Sequence, residues 1–279
     1  MPRAICRRRA ATRGAESSIG IIQRSRPVAP ITSSPTLSSS VIASVARAGG
    51  SLTTSPARRS TTISSSPPSV CLIDVTSLRI GNDQYARANK SFGVTTLHNR
   101  HVAVRGSTIR IAFRGKSAQR FDVGVHNARL ANIVRRCQHL PGQHLFKYRS
   151  ADGSVRRVTS SDVNTYLAEH AAPGVTAKTF RTWNATVLAA ERLAAASEHV
   201  ETATIKVLNE VVDSVADHLG NTRAVCPNSY VHPAVVDSHL DATLLRQWAR
   251  PTGKSPSGLT VAEHKTLRLL TRSRTRLPA

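Results

Sequence analysis

Two hydrophobic rhythms run through the 279-residue chain. In the middle, Val102 and Val104, and then Ile109, Ile111 and Phe113, alternate with polar residues on either side of Gly106-Ser107. A period of two puts alternate side chains on one face of a strand, and a glycine-containing pair between two such runs predicts a tight hairpin. A second turn, Arg114-Gly115-Lys116-Ser117-Ala118, precedes Phe121, Val123 and Val125, so Lys116 is expected at a hairpin tip. Elsewhere the period is helical. Ile205, Leu208, Val211, Val212, Val215 and Leu219 fall on one helix face, and Gly220 supplies the left-handed residue that ends it. Leu72, Ile73, Val75 and Leu78 make a shorter helical face ending near Gly81. Residues 128–175 read as helix, loop, helix, with Ser160 or Ser161 capping the helix that carries Val163, Tyr166 and Leu167. Trp183 is expected in the core. Short helices are predicted over Leu240 to Leu245 and Thr260 to Leu270, the latter with Thr260 and Glu263 spaced as a capping box. The expected fold class is α+β, mostly α-helical with a small antiparallel β-sheet.

Residues 1–70 break with this pattern. They hold ten Arg, no Lys, one acid (Glu16), no Trp, Tyr or Phe, and 23 Ser plus Thr. Such a segment buries too little branched and aromatic surface to offset chain entropy, so disorder is expected there and a folded domain over 71–279. An Arg- and Ser-rich, acid-poor start also resembles a transit peptide.

The formal charge of +23 and the sequence pI near 11.5 point to a polyanionic partner, most simply nucleic acid. An anionic membrane is the rival, but no apolar run approaches the length of a spanning helix, which leaves surface adsorption alone. Cys6, Cys71, Cys137 and Cys226 form no CxxC or Cys/His cluster and are expected as reduced thiols in a cytosolic protein. The eleven histidines form no HExxH or HxH, so solvated or core roles are expected for them.

The candidate chemistry centres on Asp217 to Val235, DHLGNTRAVCPNSYVHPAV. Asn221 follows the predicted helix end, and Tyr230 lies beyond Pro227 and Asn228, which discourage continuous helix. A lone tyrosine is more often a packing residue with its hydroxyl paired. The run LGNTRAVCPNSYVHPAVVDSHLDATL, however, resembles the active-site tyrosine segment of type IB DNA topoisomerases of the bacterial and poxvirus kind. It departs from their pattern at Arg223, where a Pro is usual, and at Pro227-Asn228, where a basic pair is usual. CLIDVTSLRIGNDQYARANKSFGVTTL is close to a second, longer block of that family, and it puts Arg79 at the position of the first catalytic arginine. By itself Arg79 reads as a cation at a helix C-terminus. KTFRTWNATVLAA resembles a third block, which makes Arg181 the second catalytic arginine. Lys178 stands where the related tyrosine recombinases have His.

What the resemblance implies is a catalytic domain over 71–279 with Tyr230 as nucleophile, Arg79 and Arg181 on the phosphate oxygens, Lys116 as general acid and Asn221 as an amide donor. The expected reaction relaxes supercoiled double-stranded DNA through a 3′-phosphotyrosine, without ATP, cofactor or metal. Lys178, Arg135, Arg136, Lys147 and Arg149 are assigned to backbone phosphates, with solvated surface as the alternative. The protein is expected to be a monomer, bacterial, cytoplasmic and nucleoid-associated. Relatives carry an N-terminal β-rich domain, and reading codons for its last segment one nucleotide out of register gives approximately the residues at Ala10 to Ser18. Residues 1 to about 70 are thus also expected to be an out-of-frame remnant of that domain. Two alternatives remain open: a tyrosine recombinase, and a basic DNA-binding protein without turnover.

Overall fold

The computed structural model describes residues 67–171, 174–197, 204–221, 230–253 and 259–274. The expectations for residues 1–66, for Cys226 and for the Arg223 and Pro227-Asn228 departures lie outside them.

The first helix, α1 (Pro67–Thr76), begins with two prolines, whose missing N–H groups cost nothing in a first turn. It starts four residues before Cys71, and Ser69 and Val70 are already buried. Leu72, Ile73 and Leu78 are buried as expected, whereas Val75 is 46% exposed. The helix stops at Thr76 and not near Gly81, because Ser77 turns into the left-handed region (φ 54). That turn frees the next segment to run extended. The amides of Val94 and Thr95 donate to the carbonyls of Arg79 and Ile80 at 2.9 and 2.7 Å. At this crossing a Cβ on Gly93 would lie 2.5 Å from Gly81 backbone, and Gly81 itself has φ +99. Both glycines are needed for two backbones to touch.

After α2 (Asp83–Asn89), strands β1 (Val102–Arg105), β2 (Thr108–Arg114) and β3 (Arg120–His126) form an antiparallel sheet in the order β1-β2-β3. Arg105 pairs with Thr108, leaving Gly106-Ser107 as the two-residue turn expected. Arg114 pairs with Arg120, so Lys116 stands at the second tip. Ile109, Ile111 and Phe113 turn inward, and the sheet packs against α1 and α3 (Ala128–His139).

The stretch expected as loop between helices holds a hairpin, β4 (Lys147–Arg149) with β5 (Val155–Arg157). Three-residue strands are too short to show an alternation. The cap of α4 (Ser160–His170) is Thr159, one residue ahead of either expected serine. Its hydroxyl accepts from Asp162 N at 3.2 Å, and the Asp162 carboxylate accepts from Thr159 N at 2.8 Å, each satisfying the other's orphan amide.

The central element is the 21-residue α5 (Ala177–Ser197), against which α1, α6 (Ile205–Leu219), α7 (Pro233–Leu240), α8 (Leu244–Ala249) and α9 (Val261–Arg274) all pack. Trp183 is buried on it, and its Nε1 donates to Glu263 at 3.2 Å. Glu263 and Thr260 form the capping box anticipated for α9. α6 ends at Gly220 as predicted, with φ 61 and ψ 46, whereas Ile205, expected on its apolar face, is 65% exposed at its first position. No helix runs from Leu240 to Leu245: Ala242 adopts φ 53, so that stretch is the corner between α7 and α8. Among the described residues no helix is long and apolar enough to cross a membrane.

Candidate active site

Arg79, Lys116, Arg181 and Tyr230 line one cleft of about 340 Å³, together with Lys178. Asn221 joins them through hydrogen bonds. Four separate elements bring these side chains together: the extended segment after α1, the β2–β3 turn, α5, and the two ends of the segment between α6 and α7.

Arg181 is 3% exposed. Its guanidinium donates to the carbonyls of Ser77 and Leu219 (2.9 Å for the latter) and reaches Asn221 Oδ1 at 3.4 Å. Arg79, half-buried, donates Nη2 to the same Asn221 oxygen. These acceptors are all neutral oxygens, so they orient the two cations without cancelling their charge. Asn184 on α5 steadies Ser77 by donating to its hydroxyl (3.1 Å) and to the Asp74 carbonyl (2.6 Å). The Asn221 amide nitrogen and Arg79 Nε are buried without an acceptor among the described residues, which leaves donors for an incoming anion.

Tyr230 is 7% exposed, and the Arg181 guanidinium carbon lies 5.6 Å from its ring centroid. Burial pushes the phenol pKa up, but the cations of Arg79 and Arg181 outweigh it, and the net value falls below the ordinary tyrosine value. Thr186 on α5 holds the main chain on both sides of the tyrosine. Its hydroxyl, shared with the Thr182 carbonyl, lies 3.2 Å from the Tyr230 carbonyl and accepts from His232 N at 3.1 Å. The His232 ring then caps α7 by accepting from Ala234 N at 3.1 Å.

Lys116 is exposed on a short 3₁₀ turn, followed by two left-handed non-glycine residues, Ser117 (φ 59) and Ala118 (φ 64). Side chains there carry a conformational cost, which must be met by the packing around the turn.

The five residues assigned to backbone phosphates fare differently. Lys178 is exposed in the first turn of α5 and borders the cleft. Arg136 is exposed on α3, and Arg149 is exposed with one N–H donated to the Gly153 carbonyl at 3.0 Å. Arg135 is tied to the Gly106 carbonyl and to Asn132, which makes it a brace between α3 and the first hairpin. Lys147 departs from the expectation outright. It is 3% exposed, and its ammonium donates to the carbonyls of Gly142 (2.9 Å) and His144 (2.7 Å), so it holds its own loop and does not face a phosphate.

Histidines 98, 101 and 144 are packing groups. Their rings cluster edge-on and stacked with Phe92, with centroids 4.5 to 5.4 Å apart among the paired rings. Ser77 and Thr186, which orient Arg181 and Tyr230, carry no signal in the sequence, since their role lies in contacts 104 and 44 residues away.

A phenol is thus held beside two oriented guanidiniums, with the Lys116 and Lys178 ammoniums on the same cleft. A model of the catalytic core of eukaryotic DNA topoisomerase I matches residues 57–247. The chain therefore belongs to that family, the type IB DNA topoisomerases. It is 31% identical over 162 residues to DNA topoisomerase 1B of Acanthamoeba polyphaga mimivirus, an alignment that takes in 55% of this chain and 48% of the viral protein. It is 29% identical over 139 residues to DNA topoisomerase 1 of Mycosarcoma maydis, across 42% of this chain and 13% of the fungal one. The alignments thus span about half of the first relative and a smaller part of the second.

Proposed function

We propose that this chain relaxes supercoiled double-stranded DNA by cutting and resealing one strand through Tyr230. The observation that carries the reading is the shared hydrogen bonding of Arg79 and Arg181 to Asn221, beside a buried phenol whose pKa those same cations depress.

Tyr230 loses its phenol proton to solvent, and attack of the phenolate Oη on phosphorus forms the Oη–P bond and breaks the P–O5′ bond, leaving a 3′-phosphotyrosine and a 5′-hydroxyl strand. Negative charge grows on the non-bridging oxygens during the step. Arg79 and Arg181 suit that charge, being permanently cationic forks whose orientation is set before substrate arrives. The free Asn221 N–H adds a neutral donor that needs no titration. The 5′ oxygen leaves as a strongly basic alkoxide unless it receives a proton, which an arginine effectively cannot give; of the two ammoniums on the cleft, Lys178 and Lys116, we assign the acid to Lys116, at the hairpin tip where the family resemblance puts it. The phosphotyrosine retains the bond energy, so the 5′-hydroxyl reverses the reaction after the strand has rotated. Nothing in this sequence of steps calls for ATP or a metal ion.

The test is relaxation of supercoiled plasmid by the full chain in excess EDTA without ATP, paired with Tyr230→Phe. Relaxation by the wild type with a covalent adduct that disappears in Tyr230→Phe is expected. Exchange confined to defined sites would assign a recombinase, and binding without any adduct would assign a DNA-binding protein without turnover.

A further inference from the structure

The ring of Phe121, on β3, lies between two glycines from opposite sides of the site. A Cβ at Gly115, the residue before Lys116, would sit 2.5 Å from Phe121 Cε2. A Cβ at Gly220, the residue before Asn221, would sit 2.4 Å from Phe121 Cζ. Neither distance is attainable for a real side chain, so the ring rests directly on both backbones. Gly220 needs to be glycine for its left-handed conformation as well (φ +61). Gly115 does not: at φ −95 any residue fits its backbone, and the demand for glycine there comes from the ring alone. Phe113 stacks on Phe121 with centroids 5.2 Å apart and planes within 10°, which keeps the ring from swinging away. Gln119, in the same turn, also leans on Gly220.

Without such a contact the Lys116 turn would be an exposed hairpin tip with two left-handed residues and a flexible four-carbon side chain. We infer that Phe121 is a positioning residue that wedges the Lys116 turn against the C-terminal end of α6, so that the lysine ammonium is held in register with the Arg79–Asn221–Arg181 cluster. The inference rests on Lys116 being the acid that protonates the leaving 5′ oxygen. The arginines take their hydrogen bonds from Ser77, Leu219 and Asn221, and none of these bonds involves the ring. Loss of the ring should therefore impair proton delivery while leaving charge stabilisation in place.

Leaving-group chemistry separates these two effects. In an ordinary strand, the Tyr230 Oη–P bond forms as P–O5′ breaks, and the Lys116 proton moves to O5′. With sulfur in place of O5′, the P–S bond breaks and a thiolate departs unprotonated, because a thiol has a pKa of about 8.5 and needs no acid. The experiment uses the full chain and a duplex oligonucleotide carrying a cleavage site mapped with wild-type protein, in ordinary and 5′-bridging phosphorothiolate form. Single-turnover cleavage is measured for wild type, Lys116→Ala, Phe121→Ala and Phe121→Leu. Phe121→Ala is expected to slow ordinary cleavage by about 10- to 100-fold, in line with the cost of an ångström-scale misplacement, and to return to within about threefold of wild type on the phosphorothiolate. Phe121→Leu keeps apolar volume without the flat ring. It should show the same pattern at about three- to tenfold, and it is the variant to read if Phe121→Ala melts below the assay temperature. Equal slowing on both substrates, or no slowing on either, overturns the inference. A Lys116→Ala variant that the phosphorothiolate does not rescue overturns instead the acid assignment on which it rests.

Discussion

Arg181→Ala is the sharpest test of the site, because two costs can be worked out and measured apart. The guanidinium is 3% exposed and bridges the carbonyls of Ser77 and Leu219. Truncation leaves those acceptors without that partner, at about 1–3 kcal/mol for each buried group that water does not reach. Chemistry suffers separately. Loss of one oriented donor to a developing oxyanion costs about 3–4 kcal/mol, or roughly 10²–10³ in the cleavage rate. A third consequence follows from the phenol. Arg79 and Arg181 both hold the Tyr230 pKa below its ordinary value against the opposing effect of burial. Removing one cation raises it, so the ascending limb of the cleavage profile, where the rate grows with phenolate formation, moves to higher pH. The assay is single-turnover cleavage across pH 6–10, at a temperature where circular dichroism shows the variant folded. A folded Arg181→Ala with a cleavage rate within threefold of wild type, or with an unmoved ascending limb, would refute the electrostatic account. Arg181→Lys should recover little, since a single ammonium lacks the planar fork that serves two carbonyls and an amide oxygen at once.

Three other outcomes follow from the contacts described. Burial, and then nearby Glu263, push the Asp74 carboxyl up to about 7. The folded state therefore holds a proton that the unfolded chain has released above pH ~4, and stability falls as pH rises from about 4 to 7. Asp74→Asn should flatten that slope and stabilise the protein above pH 7 by at most ~4 kcal/mol; chemical denaturation at pH 5 and pH 8 checks it, and an unchanged pH dependence counts against it. Lys178→Ala should lower the slope of log affinity for DNA against log salt by about 1, whereas Lys147→Ala should leave that slope unchanged and lower the melting temperature instead. Thr186→Val removes the hydroxyl that spans the Tyr230 backbone. It should destabilise by about 1–3 kcal/mol and slow cleavage without shifting the ascending limb, and a shift of that limb would show that Thr186 acts on the phenol itself.

Much of the local architecture was legible along the chain. Alternation over 102–125 located both hairpin turns and put Lys116 at a tip, and the helical period before Gly220 located the end of α6, because these patterns depend on residues within one turn or one strand pair. The identities of Arg79, Arg181 and Tyr230 as site residues came from resemblance, since periodicity alone would have left Arg79 as a helix-end cation and Tyr230 as packing. Where a side chain finally points was decided elsewhere. Lys147 looked like a neighbour of Arg149 on a basic surface, yet it is buried under its own loop by the Gly142 and His144 carbonyls. Val75 kept the helical period and still faces solvent, because α1 meets α5 and the sheet along only part of its circumference. The β4–β5 hairpin and the α7–α8 corner were too short to leave a periodic trace.

The order of residues thus determined the elements and the kinds of chemical group available: two guanidiniums, an ammonium, an amide and a phenol. Tertiary structure alone decided that the two guanidiniums share one amide oxygen beside that phenol. It did so because hydrogen bonds from Arg181 to Ser77 and Leu219, and from both guanidiniums to Asn221, act between segments whose separation in sequence no local pattern records.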